Sequence, residues 1–60
     1  MFTLFEVDGA SKWYRTDDDI YNVLERQDGV FLIYKLRENE YIYTGIKYHS
    51  LQECENAIKG

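Results

Sequence analysis

The sequence predicts an α+β domain, a four-stranded antiparallel sheet with two helices on one face, in the order ββαββα. Three observations predict this class: turn sequences between β-prone runs, capping sequences at strand ends, and a similarity between the two halves of the chain. The 60 residues form a single domain, residues 1–60, with a small core.

The first elements are predicted to form a β-hairpin. Residues 2–7 are rich in β-prone side chains, and Asp8-Gly9 follows them. Asp-Gly between two such runs is a hairpin signal, so residues 12–15, with Trp13 and Tyr14, are predicted to form the returning strand.

A helix is predicted to begin at Thr16. The run Thr16-Asp17-Asp18-Asp19 resembles a capping box with acids in the first turn. An apolar stripe follows at helical spacing, formed by Ile20, Val23 and Leu24. We expect Asp28-Gly29 to end this helix, with Gly29 in the left-handed conformation.

The second half repeats this pattern. Residues 30–36 are apolar on both faces, which places this strand centrally in the sheet. Residues 37–40 form a polar turn, and residues 41–48 form the returning strand, where Gly45 indicates a bulge or a close approach.

The last predicted element is a helix after Ser50-Leu51-Gln52-Glu53, a second capping box. Leu51, Cys54 and Ile58 line one side of it. At one constant offset, Tyr14 matches Tyr48 and Asp19 matches Glu53, which is consistent either with an internal ββα repeat or with two similar junctions.

Two helices cover only one face of such a sheet. On the last strand, Ile42, Thr44 and Ile46 alternate with the tyrosines. We predict the aliphatic set in the core and Tyr41 and Tyr43 on the open face, near Trp13 and Phe5.

The composition excludes several functions. A net charge of −4 disfavours binding to a phosphate backbone and favours a protein partner with a basic surface. No apolar run reaches the length of a membrane span, and the first residues lack a signal peptide's basic region. With a single cysteine, these features predict a cytoplasmic protein.

No catalytic, metal or cofactor motif is present, so we expect a protein that is not an enzyme. Cys54 lies on an apolar helix stripe and is predicted to be a buried structural thiol, and His49 a surface residue. Asp17, Asp18 and Asp19 lack the alternating spacing of a calcium loop. They are predicted to cap a helix and to contact a basic partner.

Tyr41 and Tyr43 are the second group of predicted partner-binding residues. Aromatic side chains on an open sheet face are found in modules that bind single-stranded nucleic acid, but those modules also carry a positive groove. Cross-strand packing or homodimer formation is the leading alternative, followed by contact with another protein.

These observations favour a small acidic protein-interaction module, an inhibitor or regulator of a host enzyme that processes nucleic acid. Its size, acidity and lack of motifs are similar in style to small accessory proteins of bacteriophages, a likeness that assigns no residue. The alternatives are a single-stranded nucleic-acid binder and a structural homodimer subunit.

Overall fold

The computed structural model describes residues 1–59 and contains five antiparallel strands followed by one helix. The elements are β1 (Phe2–Asp8), β2 (Ser11–Thr16), β3 (Tyr21–Glu25), β4 (Phe31–Arg37), β5 (Glu40–Tyr48) and α1 (Leu51–Lys59). The strands lie in the sheet in chain order, so each pairs with its sequence neighbours. The predicted fold of four strands and two helices is therefore wrong. No helix among these residues is long and apolar enough to span a membrane.

Two of the hairpin turns agree with the sequence prediction. Asp8 pairs with Ser11, and Gly9 in the loop between them has a φ of 62°. Arg37 pairs with Glu40 across a two-residue loop, in which Glu38 and Asn39 have φ angles of 49° and 69°. Two consecutive left-handed residues match a type I′ turn, whose twist suits the flanking strands.

The helix predicted from Thr16 is replaced by a tight turn and strand β3. The Asp19 N–H donates to the Thr16 carbonyl at 3.0 Å, which closes the turn. The Asp18 carboxylate accepts from the Thr16 hydroxyl at 2.6 Å and from the Ile20 N–H at 3.1 Å. The groups expected to cap a helix thus stabilise a hairpin, since short polar side chains also bond to turn backbone.

Residues 21–25 form a strand rather than a helix because their side chains alternate between the two faces of the sheet. Val23 points to the core, whereas Leu24 lies on the other face, opposite Leu32 of β4. Gly29, predicted to end a helix, has a φ of 85° and donates to the Arg26 carbonyl at 3.1 Å within the β3–β4 loop. Asp-Gly marks left-handed turns in hairpins as well as helix ends.

The same correction removes the predicted repeat. The two halves of the chain do not fold alike, because residues 21–25 form a strand where the matching residues near the C-terminus form α1. Strand β4 lies inside the sheet, as predicted for residues 30–36, and pairs with β3 on one side and with the edge strand β5 on the other.

The core lies between the sheet and α1. Val23, Ile33 and Cys54 are its buried hydrophobic residues, with Ile33 only 2% exposed. Partly buried side chains surround this core: Phe2, Tyr14, Tyr21, Phe31, Tyr48 and Leu51. Cys54 thus packs in the core, as its place on the helix stripe predicted. Among the described residues, α1 is the only helix that covers this core.

The aliphatic residues of β5 were predicted to lie in the core, but they are largely exposed. Thr44 and Ile46 line a groove beside Ala57 and Ile58 of α1, so they lie on the helix side of the sheet. Ile42 and Ile46 are nevertheless 48% and 43% exposed. The nine-residue helix is too short to cover this edge strand, because it provides only about 14 Å of length.

Helix α1 begins at the predicted capping box. The Ser50 Oγ accepts from the Glu53 N–H at 3.1 Å, and the Glu53 carboxylate accepts from the His49 N–H at 2.8 Å. These bonds satisfy backbone donors that a helix start otherwise leaves free.

Bulges bend both edge strands. The β1–β2 register shifts between Leu4 and Glu6, and the β4–β5 register shifts opposite Ile33. Gly45, in the second bulge, has a φ of 84°, which confirms the bulge predicted at this glycine. Bulges bend the strand that carries them and increase the local twist.

Candidate functional site on the open face of the sheet

The open face is the side of the sheet that α1 does not cover. Side chains alternate along each strand, so the neighbours of the core residues Val23 and Ile33 point to this side. Asn22 and Tyr34 are two such neighbours. The open face also carries Phe5, Glu6, Trp13, Arg15, Tyr41 and Tyr43.

A row of three aromatic rings crosses the open face. Trp13 and Tyr34 have ring centroids 5.3 Å apart with planes tilted by 56°. Tyr34 and its cross-strand partner Tyr43 have centroids 5.4 Å apart, tilted by 44°. Such tilted pairs stabilise by about 0.5–1.5 kcal/mol beyond area burial. Tyr43, at the outer end, is 40% exposed.

Beside this row lies a cleft of about 290 Å³, here called the aromatic cleft. All five strands contribute to its lining, which consists of Phe5, Glu6, Trp13, Arg15, Asn22, Tyr34 and Tyr41. In a flat sheet the outer strands would lie about 19 Å apart. The curl of the sheet therefore brings side chains from both edges around one space.

Arg15 is held at one side of this cleft by three contacts. Its guanidinium carbon lies 4.2 Å from the centroid of the Phe5 ring and 5.1 Å from that of Tyr41. Its Nε donates to the Asn22 Oδ1 at 2.9 Å. Asn22 is only 5% exposed, so this acceptor is itself fixed in the sheet. Among residues 1–59, no carboxylate forms an ion pair with Arg15.

A second cleft, here called the acidic cleft, adjoins the first. It measures about 380 Å³ and is lined by Thr3, Phe5, Arg15, Thr16, Asp17 and Asp19. Phe5 and Arg15 line both clefts and separate them. One surface therefore presents aromatic rings, a guanidinium and carboxylates side by side.

One hydrogen bond links two of the predicted partner-binding residues, Tyr41 and Asp19. The Tyr41 hydroxyl donates to the Asp19 carbonyl at 2.5 Å, joining the start of β5 to the β2–β3 turn. Tyr41 lines the aromatic cleft, Asp17 and Asp19 line the acidic cleft, and Tyr43 ends the aromatic row. Asp18 lines neither cleft. Its bonds to Thr16 and Ile20 hold the turn and lower the pKa of its carboxyl.

Sequence reasoning did not identify Arg15, Asn22 and Tyr34 as parts of this site. Asn22 fell within the wrongly predicted helix, so its bond to Arg15 could not be anticipated. Tyr34 carried a usable signal, because it alternates with the apolar Ile33 in a strand that was predicted.

Cys54 and His49 are the remaining candidate groups. Cys54 is fully buried, and burial raises the pKa of its thiol to about 11, so it stays protonated and unreactive at neutral pH. His49 is exposed and donates only its backbone N–H to Glu53. Within residues 1–59, no three side chains are grouped as a metal site would require.

Comparisons with known proteins returned no match to a protein family, to a curated protein or to a solved structure. The function must therefore be argued from the open face itself.

Proposed function

We propose that this protein is a small interaction module that binds another protein through the open face of its sheet. The observation that carries the proposal is the hydrogen bond from Tyr41 to Asp19. It joins the aromatic cleft and the acidic cleft into one continuous surface, although the two residues are far apart in the sequence.

The aromatic part of this surface suits an anchor for affinity. Trp13, Tyr34 and Tyr43 form a row that the helix leaves uncovered, and buried aromatic residues carry much of the affinity in protein interfaces. Their rings are already packed against one another, so binding costs them little conformational entropy.

The acidic part suits a partner with a basic surface. Asp17 and Asp19 line the second cleft, and the whole chain has a net charge of −4. Complementary charges accelerate encounter and select among partners more than they add affinity. A regulator of an enzyme with a basic, nucleic-acid-binding cleft would use this pattern.

Binding to single-stranded nucleic acid is the second candidate, favoured by the three-ring row on an open sheet face. Two observations favour a protein partner over nucleic acid. The rings are tilted against each other rather than presented as flat stacking surfaces. Glu6, Asp17 and Asp19 line the clefts beside them and repel phosphates.

The proposal is tested by affinity capture from the native host's lysate with two variants of adjacent residues on β5. Tyr43→Ala removes a 40% exposed ring from the open face, whereas Ile42→Ala removes a 48% exposed side chain from the opposite face. We expect Tyr43→Ala to lose the captured partner and Ile42→Ala to retain it. Equal capture by both variants would contradict the proposal.

A charge-reversal pair tests the acidic cleft. Asp17→Lys keeps the Asp18 side chain that bonds to the turn, although it removes the ion pair of Asp17 with the N-terminal ammonium at 3.7 Å. Glu40→Lys makes the same charge change at an exposed residue that lines neither cleft. We expect only Asp17→Lys to slow association with the captured partner and to reduce its salt dependence. Submicromolar binding of wild-type protein to oligonucleotides in physiological salt would favour the second candidate instead. A stable dimer without a captured partner would favour a homodimer subunit.

A further inference from the structure

Arg15 is a cation placed at the junction of two clefts in an acidic protein. Its guanidinium is immobilised by the rings of Phe5 and Tyr41 and by the bond from Nε to Asn22. A side chain fixed in this way has already lost the conformational freedom that ligand binding normally costs an arginine.

The rest of the guanidinium is uncommitted within the described part of the chain. The hydrogen bond to Asn22 uses Nε, and no carboxylate of residues 1–59 pairs with the two terminal amino groups. These amino groups carry four N–H donors in one plane, a geometry that matches the two oxygens of a carboxylate.

We infer that Arg15 binds a carboxylate of the partner protein, whose neighbouring apolar side chain fills the aromatic cleft. The inference rests on the proposed function and names the chemistry that this face recognises. Trp13, Tyr34 and Tyr41 supply the apolar walls, and the guanidinium supplies the polar group that fixes orientation.

The surrounding carboxylates define which anion this site accepts. Glu6 lines the aromatic cleft and Asp17 and Asp19 line the next one, so a ligand with many negative charges is repelled. For a single carboxylate in direct contact with Arg15, we expect the attraction to outweigh this repulsion, because Glu6, Asp17 and Asp19 are all exposed and screened by solvent. Basic residues that flank the partner's carboxylate would pair with these acids.

Small probes test the inference on the free protein without a known partner. Benzoate carries a carboxylate on a flat apolar ring, benzamide is its neutral counterpart, and inorganic phosphate is an anion without the ring. Each is titrated at constant ionic strength while NMR follows the side-chain N–H signals of Arg15 and Trp13.

We expect benzoate to shift both signals with a dissociation constant of about 1–10 mM, as suits a ligand of this size. Benzamide should bind at least about tenfold more weakly, because one charge-assisted bidentate contact is missing. Phosphate should leave the Trp13 signal unchanged.

Variants separate Arg15 from a general charge effect. Arg15→Gln should abolish the response of Trp13 to benzoate, and Arg15→Lys should restore only part of it. Arg26→Gln is the matched control, because Arg26 pairs with Asp28 at 3.2 Å and lines neither cleft. The amide spectrum of each variant shows whether it folds. If Arg15→Gln does not fold, the partial response of Trp13 expected in Arg15→Lys is the test instead.

Several results would overturn the inference. They are equal binding of benzoate and benzamide, equal binding of benzoate and phosphate, retention of benzoate binding by folded Arg15→Gln, or no shift up to about 50 mM benzoate. None of them bears on partner capture by the Tyr43→Ala and Ile42→Ala pair. Failure of the carboxylate site is therefore distinguishable from failure of the proposed function.

Discussion

Tyr41 and Asp19 lie 22 positions apart in the sequence, and the phenol of one donates a hydrogen bond to the backbone carbonyl of the other. Asp19 lies in the β2–β3 turn and Tyr41 in β5, and β4 separates β3 from β5 in the sheet. This contact therefore joins two parts of the sheet that are not paired as strands. It also orients the Tyr41 ring, which contacts Arg15.

Removing this hydroxyl should weaken the fold measurably. Tyr41→Phe keeps the ring and its contact with Arg15 but loses the bond to Asp19, so we expect a loss of about 0.5–1.5 kcal/mol in the free energy of unfolding. Urea denaturation measures it. Tyr43→Phe is the control, because no hydrogen bond of the Tyr43 hydroxyl is seen among the described residues, and it should change stability by less than about 0.5 kcal/mol. Equal losses in the two variants would refute this role.

On the helix side of the sheet, the effect of a truncation should depend on how deeply the side chain is buried. Ile33 is 2% exposed between the sheet and α1, so Ile33→Ala should cost about 2–5 kcal/mol and could unfold so small a domain. Ile42→Ala, on the exposed helix side of β5, should cost less than about 0.5 kcal/mol. Thermal melts followed by circular dichroism would show the difference, and a normal melting temperature for Ile33→Ala would contradict this core assignment.

The buried thiol of Cys54 should make stability fall at high pH. Its pKa rises from 9.0 to about 11 on folding, because burial disfavours the thiolate. The unfolded chain releases this proton first, so the contribution is complete below pH 9 and is lost as the pH rises through 11. Unfolding free energies of wild type and Cys54→Ala should therefore approach each other over this range. A difference independent of pH would exclude this linkage.

Asp18 should produce the opposite dependence at low pH. Its bonds with Thr16 and Ile20 lower the pKa of the folded carboxyl below the ordinary value of 3.8. The stabilisation is present above that value and is lost as the pH falls through the lowered pKa. The stability advantage of wild type over Asp18→Asn should shrink accordingly in urea titrations. An advantage that stays constant as the pH falls would argue against this role of Asp18.

The sequence predicted most elements because their signals were local. The turns at Asp8-Gly9 and at residues 37–40, the bulge at Gly45 and the helix after Ser50 each depend on side chains within a few positions of one another. The prediction for residues 16–29 was wrong for the same reason, because it too depended on local signals. Ile20, Val23 and Leu24 fit a helix stripe, yet Tyr21 and Val23 equally fit one face of a strand.

The site was predictable only where it depended on a correctly predicted strand. Tyr41 and Tyr43 could be placed on one face of β5 by alternation alone. The contact of Arg15 with Tyr41 and its bond to Asn22 require β3 as a strand and a curled sheet, and both are tertiary outcomes. Whether such a segment forms a strand or a helix depends on its pairing with neighbouring strands, and a short stretch of sequence does not reveal that pairing.

The bulges in β1 and β5 have a consequence for behaviour in a crowded cell. Both edge strands leave backbone N–H and C=O groups free, and an evenly spaced row of such groups templates the addition of further chains. Each bulge breaks that spacing midway along its strand. The same bulges therefore disfavour edge-to-edge aggregation of a chain with exposed Leu4, Val7 and Ile46.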